Sequence, residues 1–522
     1  GMARAARAAA ATGAMTLSSK GAGPGAAWRR FERAVAQAFP QGCNPLAHLG
    51  AIACLLFATL LASGIYLYVV FDTSAGGAWK SIDSLSREQA FPGGWLRSLH
   101  RYAADAFMLV TLLHLLREWL LGRYTRFRRV TWLTGIPLLL FLYISGVGGF
   151  WLNWDRLGQY SAVASAELID ALPLLAAPLT RNFVSVGAVS DRLFTLLIFI
   201  HIGVALLLLF GLWFHLQRIH LPQVFPPRAL TLGLALTLGL LAVMAPVMSQ
   251  AQADLATAPT RLDFDWILLH LHPLAEATSP ALVWLLIAGF VSVLLVLPLR
   301  RGGPPQPVAV VDPDNCNGCR RCVDDCPYEA ISLEPHPNGR IGRQLAVVAA
   351  DRCASCGVCA GACPSATPFR SGEVLVSGID MPQQTVGALR SKLQEALAES
   401  AGAHKVIVFG CDHGADLAVL ADRDVVHFSL LCIGLLPPSF VEYALRAGAL
   451  GVVVSACTAD ACEFRLGSRW TAERLAGIRE PHLRAIVPPG RFRVLFADAG
   501  DELALAAAIA AFRASVGQWA RP

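Results

Sequence analysis

Two stretches decide how this chain folds: GWLRSLHRYAADAFMLVTLLHLLREWLLG at residues 94–122 and FIHIGVALLLLFGLWFHLQRIHLP at residues 199–222. Each contains a largely apolar run long enough to cross a bilayer. Each also carries two histidines fourteen residues apart, His100 and His114 in the first, His201 and His215 in the second. In an α-helix, fourteen residues return a side chain to within about 40° of its starting direction, roughly 21 Å further along the axis. Two such helices running in the same direction set His100 level with His201 and His114 level with His215. Paired imidazoles at two depths suit two bis-histidine haems stacked across a membrane. Histidines that merely pack between helices are the competing reading. Ionisable groups inside a membrane are costly and usually face a functional interior, and the spacing recurs on both helices, so ligation is preferred.

Working outward, the first 300 residues hold six apolar runs of spanning length, at 49–71, 100–121, 132–152, 193–216, 229–249 and 281–299. The whole chain of 522 residues is 55% hydrophobic and only 15% charged, against roughly 25% charged for an ordinary soluble protein. A wholly soluble enzyme is excluded. Arg117, Arg123, Arg126, Arg128 and Arg129 cluster between the second and third runs, and Arg29, Arg30, Arg33, Arg218, Arg228, Arg300 and Arg301 fall on the same side. The opposite loops are richer in Asp and Glu. Basic loops stay cytoplasmic, so both termini are expected there, with the protein in a bacterial inner membrane. Residues 1–30, rich in Ala, Gly and Arg, read as a disordered tail and not a signal peptide. The net charge of +6 is largely this topology signal, so no nucleic-acid partner is expected.

The residues quoted above, together with GFWLNWDRLGQYSA at 149–162, resemble the N-terminal region of cytochrome b from respiratory bc complexes over roughly residues 28–228. The resemblance implies a four-helix dihaem bundle, with the His100/His201 haem near the outer face and the His114/His215 haem near the cytoplasm. It also implies that Arg97 pairs with a haem propionate. Cytochrome b has a Pro-Glu-Trp-Tyr quinol-site motif on an outer loop, and Asp263-Phe264-Asp265-Trp266 stands in a comparable place here. Asp263 and Asp265 are therefore candidates to accept a quinol proton, against the alternative of an acidic surface loop. His220 is a candidate for a second quinone pocket on the cytoplasmic side, against that of a headgroup-level histidine.

Twelve of the fourteen cysteines lie between Cys316 and Cys462. Beyond the Gly/Pro linker GGPPQP at 302–307, Cys316, Cys319, Cys322 and Cys326 form a CxxCxxCxxxCP run, and Cys353, Cys356, Cys359 and Cys363 repeat it. This is the bacterial two-cluster ferredoxin pattern, in which the fourth cysteine of each run crosses to the other cluster. One [4Fe-4S] set is then Cys316, Cys319, Cys322 and Cys363, and the other Cys353, Cys356, Cys359 and Cys326. Disulfides are disfavoured in a reducing cytoplasm, and zinc sites lack two four-cysteine runs each closing in proline.

From about residue 404, the apolar runs KVIVFGC, VVHFSLLC, GVVVSAC and FRVLFAD interleave with helical segments, which predicts a parallel sheet covered on both faces. Such sheets place their sites beyond the carboxyl ends of the strands. Cys411, Cys432 and Cys457 each follow a strand, and Cys462 lies five residues beyond Cys457. By residue type alone these four thiols suit a [2Fe-2S] cluster, a zinc ion or plain packing. The stretch at 404–475 resembles the delta subunit of methyl-viologen-reducing hydrogenase, an iron-sulfur carrier linking hydrogenases or formate dehydrogenases to heterodisulfide-reductase-type flavoproteins, which implies [2Fe-2S]. It departs from that family at Cys411-Asp412-His413-Gly414, where a CxxC is frequent.

The expected architecture is multidomain: a six-helix transmembrane all-α cytochrome b bundle (31–301), an α+β two-cluster ferredoxin (302–375), a connector (376–403) and a C-terminal α/β domain with a parallel sheet (404–522). The expected function is that of an electron-transfer subunit between a cytoplasmic flavoprotein, NAD(P)H-dependent or heterodisulfide-reductase-like, and membrane quinone. Further partners expected are the lipid bilayer and a second copy of the chain, as a homodimer through the helical half. No dinucleotide fingerprint is present, so hydride or substrate chemistry falls to the partner. The alternatives are quinol oxidation feeding a low-potential cytoplasmic acceptor and, in a different class, a redox-sensing or assembly scaffold.

Overall fold

The computed structural model describes residues 24–173, 177–183, 188–257, 261–299, 306–337, 342–398, 405–420 and 422–517. Most of the expected tail, Arg300 and Arg301, and most of the Gly/Pro linker lie outside them. The tail expectation is corrected at its end: Pro24–Ala36 is a helix, α1. Trp28 on it is buried and donates its indole N–H to Glu32 at 2.8 Å, and Glu32 pairs with Arg117 at 2.6 Å.

The helical half continues with α2 (Leu49–Val70), α3 (Ala78–Arg87), α4 (Trp95–Leu120), α5 (Arg129–Asn153), α6 (Arg156–Asp170), α7 (Asp191–Leu216), α8 (Arg228–Met244), α9 (Leu271–Ala277) and α10 (Pro280–Val296). Helix occurs in all six expected runs, but four segments are long and apolar enough to cross a membrane: Pro45–Val70, Arg126–Asn153, Asp191–Leu216 and Pro280–Leu299. Helix α4 has the length but carries Arg97, Arg101, Asp105, Arg117 and Glu118. Helix α8 stops at Met244, where Ala245-Pro246 follows; a proline disfavours helix in the residue before it. On α7, Phe199, Leu206, Phe210 and Trp213 point outward, the apolar exterior that a lipid solvent requires. Helix α2 packs along α4, and α5 along α7.

The ferredoxin region is small. Strands β1 (Val310–Val311) and β4 (Ile379–Asp380) pair antiparallel, as do β2 (Ile331–Pro335) and β3 (Gln344–Val348). Short helices α11 (Arg321–Asp324) and α12 (Val358–Ala362) sit within the two cysteine runs. The β1–β4 pairing corrects the expected boundary at 375, because Ile379 and Asp380 close this region. The segment expected as a plain connector also holds helix α13 (Val386–Ala398), whose Leu389 and Leu393 enter the core shared with the C-terminal sheet.

That sheet has four parallel strands in the order β6-β5-β7-β8: β5 (Val406–Cys411), β6 (Val425–Leu430), β7 (Gly451–Ala456) and β8 (Phe492–Phe496). The central strands β5 and β7 are buried throughout, as continuous Val/Ile runs between helix layers must be. Helices α14 (Ser439–Arg446), α15 (Gly467–Leu475) and α16 (Glu502–Gly517) follow β6, β7 and β8.

Candidate redox centres

The four histidines lie in two storeys of the helical half. His100 is within electrostatic reach of His201, and His215 of His114. Opposite each ring the backbone is a glycine. A Cβ on Gly64 would lie 3.2 Å from the His100 ring, on Gly50 3.7 Å from His114, on Gly149 3.4 Å from His201 and on Gly135 3.4 Å from His215. Gly50 and Gly64 are on α2, Gly135 and Gly149 on α5, and both pairs are fourteen residues apart. Residue reading passed over these glycines although their spacing repeats that of the histidines.

Hydrogen bonds orient three of the rings. The Ser63 hydroxyl donates to the Thr59 carbonyl at 2.7 Å, so its oxygen accepts at 2.9 Å from His100 Nδ1–H. The Thr134 hydroxyl donates to the carbonyls of Val130 and Thr131 and accepts at 3.0 Å from His215 Nδ1–H. His201 Nδ1–H donates to the Ser145 carbonyl at 3.0 Å. A carbonyl only accepts, so His201 carries its proton on Nδ1 and keeps the Nε2 lone pair for a metal; the same tautomer suits His100 and His215, whose hydroxyl partners each reach a carbonyl for their own proton. His114 Nδ1 is buried without a hydrogen-bond partner. Buried imidazoles paired at two levels, each seated against a glycine and one with an unpartnered ring nitrogen, fit the axial ligands of an iron porphyrin.

Arg97 is buried, with one terminal nitrogen on the Ile82 carbonyl and Ser86 Oγ and the other on Asn153 Oδ1 and Ser249 Oγ, at 2.7 to 3.3 Å. It ties α4 to α3, α5 and the segment after α8. Asp265 is committed locally: one oxygen accepts from the Ile267 and Leu268 N–H groups at 2.8 and 2.7 Å, and the other pairs with Arg101. Asp263 is exposed and its carbonyl accepts from Gln250. His220 sits at the seam with the ferredoxin region, its N–H donating to the Pro327 carbonyl at 3.1 Å and its ring 3.6 Å from Glu329.

In the ferredoxin region, Cys316, Cys319, Cys322 and Cys363 line one cavity. Burial, reinforced by Cys363, Cys319 and Cys316, pushes the Cys322 thiol up to about 12. Cys356 is likewise pushed up to about 12 by burial, with Cys326 and Cys353 adding to it. Each run's fourth cysteine is therefore crowded by the other run. Thiols held this close ionise together only around a cation, which fits a cationic iron-sulfur core. Ala330 N–H also donates to Cys326 Sγ at 3.2 Å.

Cys411, Cys432, Cys457 and Cys462 are all buried at the carboxyl edge of the parallel sheet. The four thiols crowd one another: Cys432 and Cys457 lower the Cys411 thiol, while Cys411, Cys462 and burial raise that of Cys457. Gly434 N–H donates to Cys432 Sγ at 3.4 Å. Among the described residues no three His, Cys, Asp or Glu side chains group as ligands of a single ion.

The fold and these centres define a membrane cytochrome b fused to iron-sulfur domains. Comparison with known proteins gives the parts their families: residues 35–223 match Cytochrome b/b6/petB, residues 315–367 the 4Fe-4S dicluster domain, and residues 406–519 the methyl-viologen-reducing hydrogenase delta subunit. The chain thus joins a cytochrome b N-terminal domain, a 4Fe-4S dicluster domain and a hydrogenase delta-subunit domain in one polypeptide, all three being domains of oxidoreductase complexes. A solved chain described as "Hyperthermophilic respiratory Complex III" is similar at 19% identity and a TM-score of 0.40, covering 52% of this chain and 80% of that one. A membrane cytochrome b fused to iron-sulfur domains suggests electron transfer between the quinone pool and a cytoplasmic redox partner.

Proposed function

We propose that this protein is the membrane electron-transfer subunit of an oxidoreductase complex. It passes electrons between a cytoplasmic flavoprotein, NAD(P)H-dependent or heterodisulfide-reductase-like, and membrane quinone. The observation that carries the reading is the two storeys of buried histidines, each ring packed against a glycine and three of them held at Nδ1 by a hydrogen bond. His100 and His201 would hold one b haem, His114 and His215 the other, and Arg97 would supply the buried cation for a propionate. Cys316, Cys319, Cys322 and Cys363 would hold one [4Fe-4S] cluster, Cys353, Cys356, Cys359 and Cys326 the second, and Cys411, Cys432, Cys457 and Cys462 a [2Fe-2S] cluster. When bound, these groups supply one-electron carriers. The chain's own residues hold them, fix their orientation and keep water from them.

The haem region would run from 31 to 301, the ferredoxin region from 302 through β4, and the delta-like domain from 404 to 522. The arginine-rich end bearing the iron-sulfur domains would face the cytoplasm. Among the quinone-site candidates, exposed Asp263 beside Trp266, which is 68% exposed, would lie where a quinol arrives from the lipid. The purified chain should contain two haems b and about ten irons in its clusters, counted from the proposed cluster types. Reduced-minus-oxidised spectra with iron and labile-sulfide analysis test this. Absence of a b-type spectrum would sink the proposal.

A further inference from the structure

The four-cysteine site of the C-terminal domain touches both of its redox neighbours. Its loop from Cys457 to Cys462, with the residues just after, is seated on the end of the helical half that carries His114 and His215. Asp460 pairs with His48 at 3.4 Å, and the backbone N–H of Asn44 donates to the same carboxylate at 3.4 Å. Glu463, adjacent to Cys462, pairs with Arg123 at 2.9 Å and Arg128 at 2.8 Å. Arg465 donates to the carbonyls of His220 and Leu221, both at 3.0 Å. Each contact lands next to the lower histidine storey. His48 is two residues before Gly50, which faces the His114 ring; Arg123 also reaches Glu118, one helical turn beyond His114; and His220 is five residues after His215.

On its other side, Cys432 shares an apolar cluster with Cys356 and Val358 of the second ferredoxin run and with Trp470. The backbones there are in contact, since a Cβ on Gly361 would come within 2.1 Å of the Gly434 carbonyl oxygen. Arg474, fully buried, donates to that same carbonyl at 3.1 Å and pairs with Asp325 of the ferredoxin region. All four C-terminal cysteines are buried, whereas Cys319 in the first ferredoxin run is exposed, with exposed Arg320 and Asp324 beside it.

We infer that the four-cysteine site is an internal relay between the second ferredoxin site and the His114/His215 pocket, and that the soluble partner meets the chain at the Cys316–Cys322 face. This rests on the electron-transfer function proposed above. It differs from the order of the modules along the chain, in which the ferredoxin region stands between the helical half and the C-terminal domain. Each transfer moves one electron: a reduced flavoprotein loses one, the haem iron gains one, and no bond forms or breaks. A direct passage from Cys326 through Pro327 and Tyr328 is the competing route, and it meets the helical half at His220 and at Phe127, whose ring lies 4.5 Å from that of Tyr328.

The test uses the full chain in lipid nanodiscs mixed with reduced flavodoxin. Haem reduction is followed by stopped-flow absorbance and cluster reduction by freeze-quench electron paramagnetic resonance. In Cys457→Ala, both ferredoxin signals should appear as in the parent while haem reduction is lost. Haem reduction at the parent rate would overturn the relay, and so would loss of ferredoxin reduction. If Cys457→Ala fails to fold, shown by loss of ferredoxin iron and sulfide, the double variant Asp460→Asn/Glu463→Gln unseats the loop while leaving every thiol in place. It should keep ferredoxin reduction and lose haem reduction, and unchanged haem reduction would overturn the inference. If the parent chain itself shows no haem reduction, the electron-transfer reading fails, a result distinct from all of these.

Discussion

Glu463→Gln is the most informative single change outside the redox centres. Burial alone would raise the Glu463 carboxyl, but Arg128 and Arg123 outweigh it and hold it at about 2, against an ordinary 4.5. At ~1.4 kcal/mol per pH unit, that depression corresponds to roughly 3 kcal/mol of attraction in the docked state. The side chain is 28% exposed, so solvent screening trims this to about 2 kcal/mol. Removing the charge should therefore make opening of the seam about thirtyfold more frequent. Hydrogen exchange of the full chain measures this directly, because protection of amides at 458–466 and 121–128 reports opening of that seam. Protection there should fall about thirtyfold in the variant, with the edge near Asp422 and Arg513 unchanged. In the parent, a depressed carboxyl contributes stability that is fully present above about pH 4.5 and is lost as pH falls through about 2. Exchange, corrected for its intrinsic pH dependence, should converge with that of the variant across that window. Equal protection in parent and variant at neutral pH would refute the reasoning.

Three further outcomes follow from packing and ligand geometry. Gly64→Leu places a side chain where a Cβ already stands 3.2 Å from the His100 ring; it should cost the chain one haem of two by pyridine haemochrome assay, the His114/His215 haem remaining. Cys363→Ser should abolish the same paramagnetic cluster signal as Cys316→Ser, and Cys326→Ser the same signal as Cys353→Ser; matching within each run instead would refute the crossed assignment. Asp325→Ala leaves Arg474 buried and unpaired, which costs about 3–5 kcal/mol and should lower the thermal midpoint of the iron-sulfur half. Arg479→Ala, removing a partner that is 25% exposed, should cost less.

Much of each centre was legible because its geometry is local. Helical periodicity alone stacks His100 over His114 and His201 over His215, and two CxxCxxCxxxCP runs carry their own cluster pattern. Length and apolarity predicted six spans, of which four are helices long and apolar enough to cross a membrane; α4, which carries the first histidine pair, falls short because of its charged residues. Local reading also missed things that were present: the Gly50/Gly64 and Gly135/Gly149 pairs repeat the histidine spacing, but a glycine acquires meaning only from what faces it. Asp265 read as a candidate proton acceptor because it stands where cytochrome b has its quinol-site motif; what the sequence did not show is that its carboxylate accepts from two backbone N–H groups and pairs with Arg101.

From residues alone came the three modules, the histidine and cysteine sets and the charge asymmetry of the helical ends, since each depends on neighbours a few residues apart or on composition. The order in which the modules touch was beyond that reach. Arg123 and Glu463 are 340 residues apart, and nothing local to either distinguishes it from any other surface charge. Only the packed chain brings Glu463 onto the basic loop, Asp460 onto His48 and Cys432 beside Cys356. Such contacts are chosen by the shapes of two folded surfaces, a property that no single stretch of sequence carries.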